Sequence, residues 1–250
     1  MPTVNTLAID VGGSGLKAAV LDASGKMLGE RLRIDTPVGA PPEMIVALLA
    51  ALVRELPAYQ RVAVGFPGMV RNGFVLTAPN LGHAGWHGFD LAGALQNELH
   101  HPVRVANDAD VQGLAVIAGR GLELVITLGT GFGTGLYQDG RLCPHLEISH
   151  QPFRKGETYD QQLGNAARKR IGNTKWEKRV WKAIANLRTL THFDRLYLGG
   201  GNAPRITREL PPEISIVDNL AGLSGGARLW QGGAADNGCM PGTPAATGPA

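Results

Sequence analysis

Cysteine is scarce in this chain. The two present, Cys143 and Cys239, lie far apart with no CxxC and no Cys/His spacing, so neither a disulfide framework nor a zinc site is indicated. Long apolar runs are also missing: none approaches the roughly 18 residues of a membrane span. No basic-then-apolar leader precedes the first strand, and a cytoplasmic protein away from the membrane is expected. Charge of one sign is equally short. Lys and Arg total 24 against 21 Asp and Glu, and a net charge of +3 is too small to argue for nucleic acid. What remains is a chain of 250 residues, 44% hydrophobic and 18% charged, which can bury the core of one large or two small domains.

Glycine, by contrast, is plentiful and placed with purpose. Leu7 to Gly25 reads as an apolar strand ending on Asp10, a turn with Gly12, Gly13, Ser14 and Gly15, a second strand from Lys17, and a reversal at Asp22. Glycines here are expected to take positive φ and to let the backbone approach a ligand, and the free N–H groups of such a turn make a concave anion site. The expected guest is a phosphate, with Asp10 placed to hold a hydrated Mg²⁺. Leu124 to Gly140 repeats the design 117 positions later. Leu7, Ile9, Gly12 and Asp22 fall on Leu124, Ile126, Gly129 and Asp139, and Thr130 beside Gly131 takes the place of Ser14. A supersecondary unit present twice suggests two similar halves with a polyphosphate held across the cleft between them.

Between the copies, Met27–Ile34 is expected to add a third strand and Pro42–Val53 a helix, with Pro at its first turn. Arg61–Phe66 is a buried strand ending in the turn Gly65-Phe66-Pro67-Gly68, at the end of a strand where open α/β sheets bind ligands. A hairpin closed by Asn72-Gly73 and a polar loop containing Asn80 follow, so Gly68 and Asn80 are candidate pocket residues. After a helix over Asp90–Leu99, the strand Val103–Ala106 delivers Asn107-Asp108-Ala109-Asp110. A strand-end carboxylate can accept a hydroxyl proton while a neighbouring amide fixes the same hydroxyl, as transfer of a phosphoryl group to an alcohol requires. One of the two acids is expected to cap the helix Val111–Ile117.

Beyond the second turn, Glu147 and His150 are three apart, which on a helical turn puts both on one face, suited to vicinal hydroxyls of a sugar. Thr158–Ile171 and Lys175–Leu190 read as two helices. Between Arg154 and Arg188 stand ten basic residues against three acids, read either as the solvated face of these helices or as a counter-charge for a long anionic donor. Arg195–Leu198 is a strand running into Gly199, Gly200 and Gly201, a phosphate or nucleotide platform if a helix opens there. Ile214–Val217 and 220–230 are a last strand and helix, and from Gln231 the Gly-, Ala- and Pro-rich chain lacks an apolar period and is expected to be disordered.

These motifs together resemble the ROK-family sugar kinases of the actin-like ATPase superfamily, and more narrowly their polyphosphate-glucokinase branch. The resemblance is carried, in family order, by Asp10 to Lys17, Gly65 to Gly68, Asn107-Asp108-Ala109, Thr127 to Gly133, Glu147-x-x-His150 and Leu198 to Gly201. It implies an α/β, two-domain fold of duplicated ribonuclease-H-like halves around a cleft. The expected division is 1–105, completed by the helix 220–230, then 106–219, with 231–250 as the tail. It further implies Asp108 as catalytic base and Asn107, Glu147 and His150 as hexose ligands. The glycine turns, with Lys17, would be ligands of ATP or polyphosphate, with Mg²⁺. The Cys-rich zinc motif of many members is missing, so no zinc is expected, and Asp160 stands where a second sugar-binding glutamate usually follows. A hexose kinase, with glucose the expected acceptor, is preferred over a regulator, since regulators of this type carry a helix-turn-helix ahead of the first strand and only Met1 to Thr6 precede it here. A sugar-binding module without turnover is the third reading. A homodimer is the expected state.

Overall fold

The computed structural model describes residues 4–217 and 223–231. The first sheet is built from β1 (Thr6–Val11), β2 (Leu16–Leu21), β3 (Leu32–Ile34), β4 (Arg61–Phe66) and, after a small hairpin of β5 (Val70–Arg71) and β6 (Phe74–Val75), β7 (Val103–Asn107). Its order is β3-β2-β1-β4-β7, with β1 antiparallel to β2 and parallel to β4. All six residues of β1 are buried, as a strand packed on both faces requires. One face meets α1 (Pro42–Leu52) and α2 (Leu91–Leu99), through a core that includes Ile45, Leu49, Leu91, Leu95 and Trp86. Pro42 at the first turn of α1 and the Asp90 side chain accepting the Gly93 N–H at the start of α2 explain where both helices begin.

The second sheet repeats the first. It contains β8 (Leu122–Leu128), β9 (Phe132–Gln138), β10 (Arg141–Leu142), β13 (Arg195–Gly199) and β14 (Ile214–Ile216) in the order β10-β9-β8-β13-β14, with the same pattern of antiparallel and parallel neighbours. Between β10 and β13 lie the short pair β11 (Pro152–Arg154) and β12 (Glu157–Thr158), then α4 (Tyr159–Leu163), α5 (Asn165–Ile171) and α6 (Asn173–Thr191). The repeat read at 117 positions holds in space. Thr6 pairs with Arg61 in the first sheet and its equivalent, Glu123, pairs with Arg195 in the second.

Helix α3 (Asp108–Leu114) joins the halves. Its Gly113 leaves room for the Tyr137 hydroxyl, which donates to the Asp110 carbonyl at 2.7 Å and ties the helix to β9. A 3-10 turn, Ser224–Trp230, then returns to the first sheet, where Leu223 and Ala227 pack with Ala8, Ala19 and Leu21. Gly226 permits that approach, since a Cβ there would lie 3.0 Å from that of Ala8, and Gly225 lets the same turn lie on α3, where a Cβ would overlap the Val111 carbonyl. Trp230 is held under Arg104, 4.4 Å from the ring centroid, and Arg61, 5.5 Å away.

Several element boundaries differ from the sequence reading. The third strand is confined to Leu32–Ile34, with Met27 making only an isolated bridge to Leu21. Thr158–Ile171 is broken at Gly164, whose N–H caps α4 on the Asp160 carbonyl and which opens α5. Only a 3-10 turn, Ala203–Arg205, follows the glycine run at 199–201, since Pro204 and the backbone bonds of Gly200 and Asn202 close it at once. The last helix is a 3-10 turn from Ser224, while the residues before Leu223 and those of the expected tail after Gln231 lie outside the described residues.

Candidate active site

The strand ends of the first sheet bring the acids together. In register, Asp10 pairs with Gly65, Gly65 with Ala106 and Phe66 with Asn107, so one edge carries Asp10, the Gly65–Gly68 turn and Asn107-Asp108. Asn107 rather than an acid is the helix cap. Its Oδ1 accepts the Ala109 N–H at 2.9 Å while its Nδ2 donates to the Gly68 carbonyl at 3.1 Å. Helix α3 therefore starts at Asp108, three residues earlier than the apolar pattern suggested, and both Asp108 and Asp110 lie in its first turn. Asp108 is partly buried and its Oδ1 accepts the Ala109 N–H at 2.8 Å. Burial is the largest influence on its carboxyl and, with the nearby charges of Asp10 and Asp110, lifts the pKa to about 6 against the opposing pull of the Ala109 amide and His145.

The first glycine turn lies beside these acids. Asp10, 7% exposed, is paired across the strands with Lys17 at 2.8 Å. The turn is closed by a bond from the Gly12 N–H to the Gly15 carbonyl and braced from outside: Thr36 donates to the Gly12 carbonyl and Arg33 to that of Ser14. None of Gly12, Gly13 and Gly15 has a positive φ, contrary to expectation. What excludes a side chain is space. A Cβ on Gly13 would lie 2.8 Å from the carbonyl of Asn80, the loop residue read as a pocket wall, and one on Gly12 would lie 2.9 Å from that of Gly15. Ser14 is exposed at the tip.

The second turn, Gly129-Thr130-Gly131, has no charged residue of its own. Gly129 N–H bonds to the Gly131 carbonyl at 3.0 Å, Thr130 is exposed, and a Cβ on Gly129 would meet nothing within 4 Å. Its supports come from three directions. Asn165 donates its N–H to the Gly129 and Thr130 carbonyls, Asn202 donates its Nδ2 to that of Gly129, and Asp160 Oδ1 accepts the Phe132 N–H at 2.8 Å. Asp160, expected among the sugar ligands, is thus set against this turn, and a Cβ on Gly131 would run into the same carboxylate oxygen. The Gly199–Gly201 segment packs alongside. Gly200 has φ +86° and sits on Leu128, the one position in the run where the left-handed region demands glycine, while Gly201 faces open space.

Glu147 and His150 are brought together on a 3-10 turn, where residues three apart eclipse. Glu147 precedes the turn and accepts the Ser149 hydroxyl. His145, which the sequence reading did not single out, lies between Glu147 and Asp110. Its Nδ1 is 2.9 Å from Asp110 Oδ2 and its Nε2 is 3.7 Å from Glu147 Oε2. A signal was present in the i, i+2 spacing of His145 and Glu147, which in extended chain shares a side. Asp110, 35 positions away, gave none.

With one oxygen held by Lys17, Asp10 can still offer the other to a cation. Among the described residues no three of His, Cys, Asp or Glu gather as a metal cage. Mg²⁺ is ordinarily bound by one or two carboxylates with waters and substrate phosphates.

Two matching five-stranded sheets, paired glycine turns and a strand-end acid between them define a phosphoryl-transfer ATPase fold of duplicated halves. Residues 6–145 match the ROK family, and the chain belongs to it. A polyphosphate glucokinase of Mycobacterium tuberculosis is 30% identical over 236 residues, 88% of each chain. Among solved structures, the inorganic polyphosphate/ATP-glucomannokinase of Arthrobacter sp. strain KM superposes with a TM-score of 0.76 at 32% identity, covering 90% of this chain and 97% of that one. A ROK family glucokinase of Streptomyces griseus, in complex with glucose and AMPPNP, gives 0.73 at 21% identity over 90% and 98%, a likeness of fold.

Proposed function

We propose that this chain is a hexose kinase that moves the terminal phosphoryl group of inorganic polyphosphate or ATP to the primary hydroxyl of a hexose, with glucose the expected acceptor. The observation that carries the proposal is Asp108, a partly buried carboxylate with a pKa of about 6, at a strand end beside Asn107 and within the field of Asp10. A base of that pKa is ionised at neutral pH yet basic enough to take a hydroxyl proton in the transition state. Asn107, Glu147 and His150 bind and orient the hexose, with Gly68 and Asn80 lining its pocket and Asp160 acting from beside the second turn. The N–H groups of Gly13 and Ser14 and of Thr130 and Gly131, with Lys17 and the Gly199–Gly201 segment, hold the donor phosphates, while Gly12 and Gly129, whose own N–H groups close the turns, let the backbone come close. Mg²⁺, held by Asp10 in part through water, would neutralise charge on the donor's phosphoryl oxygens. Closure of the halves around both substrates excludes water as a competing acceptor.

Domain division belongs to the same proposal. It is drawn after Asn107, because Ala106 and Asn107 still pair with β4, and the turn Ser224–Trp230 is assigned to the first half by its packing on Ala8 and Leu21. A cytoplasmic homodimer completes it. Among the described residues no helix is long and apolar enough to cross a membrane. The test is phosphorylation of a panel of hexoses with ATP and with polyphosphate, and glucose binding without turnover on either donor would leave a sugar-binding protein instead.

A further inference from the structure

We propose that His145 is a positioning residue, a buried imidazolium that fastens Glu147 to Asp110 on helix α3 and so sets the hexose ligand and the base Asp108 as one unit; this rests on the reading of Glu147 as a hexose ligand. The geometry is that of a bridge. The His145 side chain is 8% exposed and that of Asp110 1%, with Nδ1 at 2.9 Å from Asp110 Oδ2 and Nε2 at 3.7 Å from Glu147 Oε2. Both ring nitrogens therefore face carboxylates, which only the doubly protonated ring can serve as a donor on each side. Burial disfavours that charge, but the two acids outweigh it and hold the His145 pKa up at about 10, while His145 and then Ser149 draw the Glu147 carboxyl down.

The two ends of the bridge differ in rigidity. Asp110 belongs to a helix tied to β9 by the Tyr137 hydroxyl, whereas Glu147 stands on a loop ahead of a three-residue turn. An imidazolium anchored on the first can therefore place the second. Nε2 is buried without a hydrogen-bond partner among the described residues, and 3.7 Å is too long for one. A buried donor left short of its acceptor marks a contact that a bound hexose can tighten. His145 also acts on Asp108, whose carboxyl feels its positive charge.

The test uses the full chain, with glucose affinity measured by calorimetry and both KM values by steady-state kinetics. His145→Asn keeps an amide near Nδ1 for Asp110 and loses the reach to Glu147, and His145→Gln extends an amide toward Glu147. We expect His145→Asn to weaken glucose binding and raise its KM about tenfold or more, with the donor KM within twofold, and His145→Gln to recover part of the loss. In a Glu147→Gln background the same His145→Asn change should cost less than twofold, the signature of two residues acting through one contact. Should His145→Asn fail to fold because Asp110 is left charged and buried, Asp110→Asn in the same chain removes that charge, and glucose affinity should remain low. Wild-type glucose affinity in folded His145→Asn, or an undiminished effect in the Glu147→Gln background, overturns the proposal. If Glu147→Gln itself binds glucose like the wild type, the reading of Glu147 as a ligand is what fails.

Discussion

The two glycine turns of this molecule descend through the same strand-turn-strand design and are closed by the same hydrogen bond, from the first glycine's N–H to the last glycine's carbonyl at 3.0 Å. They differ in charge and in crowding. The first spans four residues between Val11 and Leu16 and follows Asp10, which faces Lys17; the second spans three between Leu128 and Phe132, and where Asp10 would recur stands Thr127, facing Gly133. Every glycine of the first turn would bring an added Cβ within 3 Å of a neighbour, whereas the second turn is crowded at Gly131, against Asp160, and open at Gly129, where a Cβ meets nothing within 4 Å. The first turn follows a paired acid and cation, and the second has room at its first glycine and a carboxylate, Asp160, against its last. Duplication preserved the cradle, and the chemistry was concentrated on one side of it.

The sharpest way to break that asymmetry is to remove its charges. Asp108→Asn should lower kcat by about two or more orders of magnitude with glucose affinity nearly intact, and wild-type turnover would move the base to Asp110. Because Asp108 must be ionised to accept a proton, kcat of the wild type should fall about tenfold per pH unit below about 6. A profile flat to pH 5 would count against this carboxyl. Asp10→Asn should cost on the order of 10- to 100-fold in kcat, whereas Thr127→Val, its counterpart in the other half, should cost less than about threefold. Equal losses at the two positions would erase the contrast.

Crowding is separable from charge by adding one methyl to each turn. Gly13→Ala must displace the Asn80 carbonyl and should lower the melting temperature by several degrees, about 1–3 kcal/mol. Gly129→Ala should melt like the wild type and instead raise the donor KM, since its Cβ enters the space left for phosphate; an unchanged donor KM would leave that space without a ligand.

Smaller still are two effects on opposite sides of the cleft. Burial raises the Asp108 pKa in the folded state, so its ionised form costs stability above about pH 6 and costs nothing below the unfolded value near 4. Asp108→Asn should therefore be more stable than the wild type at pH 7.5, by on the order of 1–2 kcal/mol, and no more stable at pH 4. In the second half, replacing Lys169, Arg170 and Lys175 with Ala should raise the KM for polyphosphate a few-fold more than that for ATP. Equal changes for both donors would return that segment to ordinary surface.

Much of the fold was legible because the glycine turns punctuate it. Gly12 and Gly129 mark the same bend twice, and the strands on either side follow from buried runs such as LAID and LVIT. Why Gly13 and Gly15 are glycine was not legible, since the close approach of Asn80 to the one and of Arg33 to the other is a tertiary fact and positive φ was the local guess. Asn107 was read as a ligand alone, although amide and helix cap are the same side chain; with the cap given to one of the acids that follow it, α3 was begun three residues late, at Val111. Asp160 was placed by family likeness, and its bond to Phe132 depends on a break at Gly164 that a continuous helical pattern conceals. His145 escaped because its partner Asp110 is distant in the chain and adjacent only once α3 is docked.

The return of Ser224–Trp230 to the first sheet has a consequence for biosynthesis. Strands β1, β2 and β4 leave the ribosome early, but Ala8, Ala19 and Leu21 pack with the much later Leu223 and Ala227, and the Gln231 side chain bonds the Ala23 carbonyl across 208 positions. At about 5–20 residues per second, that apolar surface waits on the order of 10–40 s for its cover. The nascent first half must therefore remain open until Leu223 to Trp230 have been synthesised, so this sheet is closed late, by residues that follow the whole second sheet.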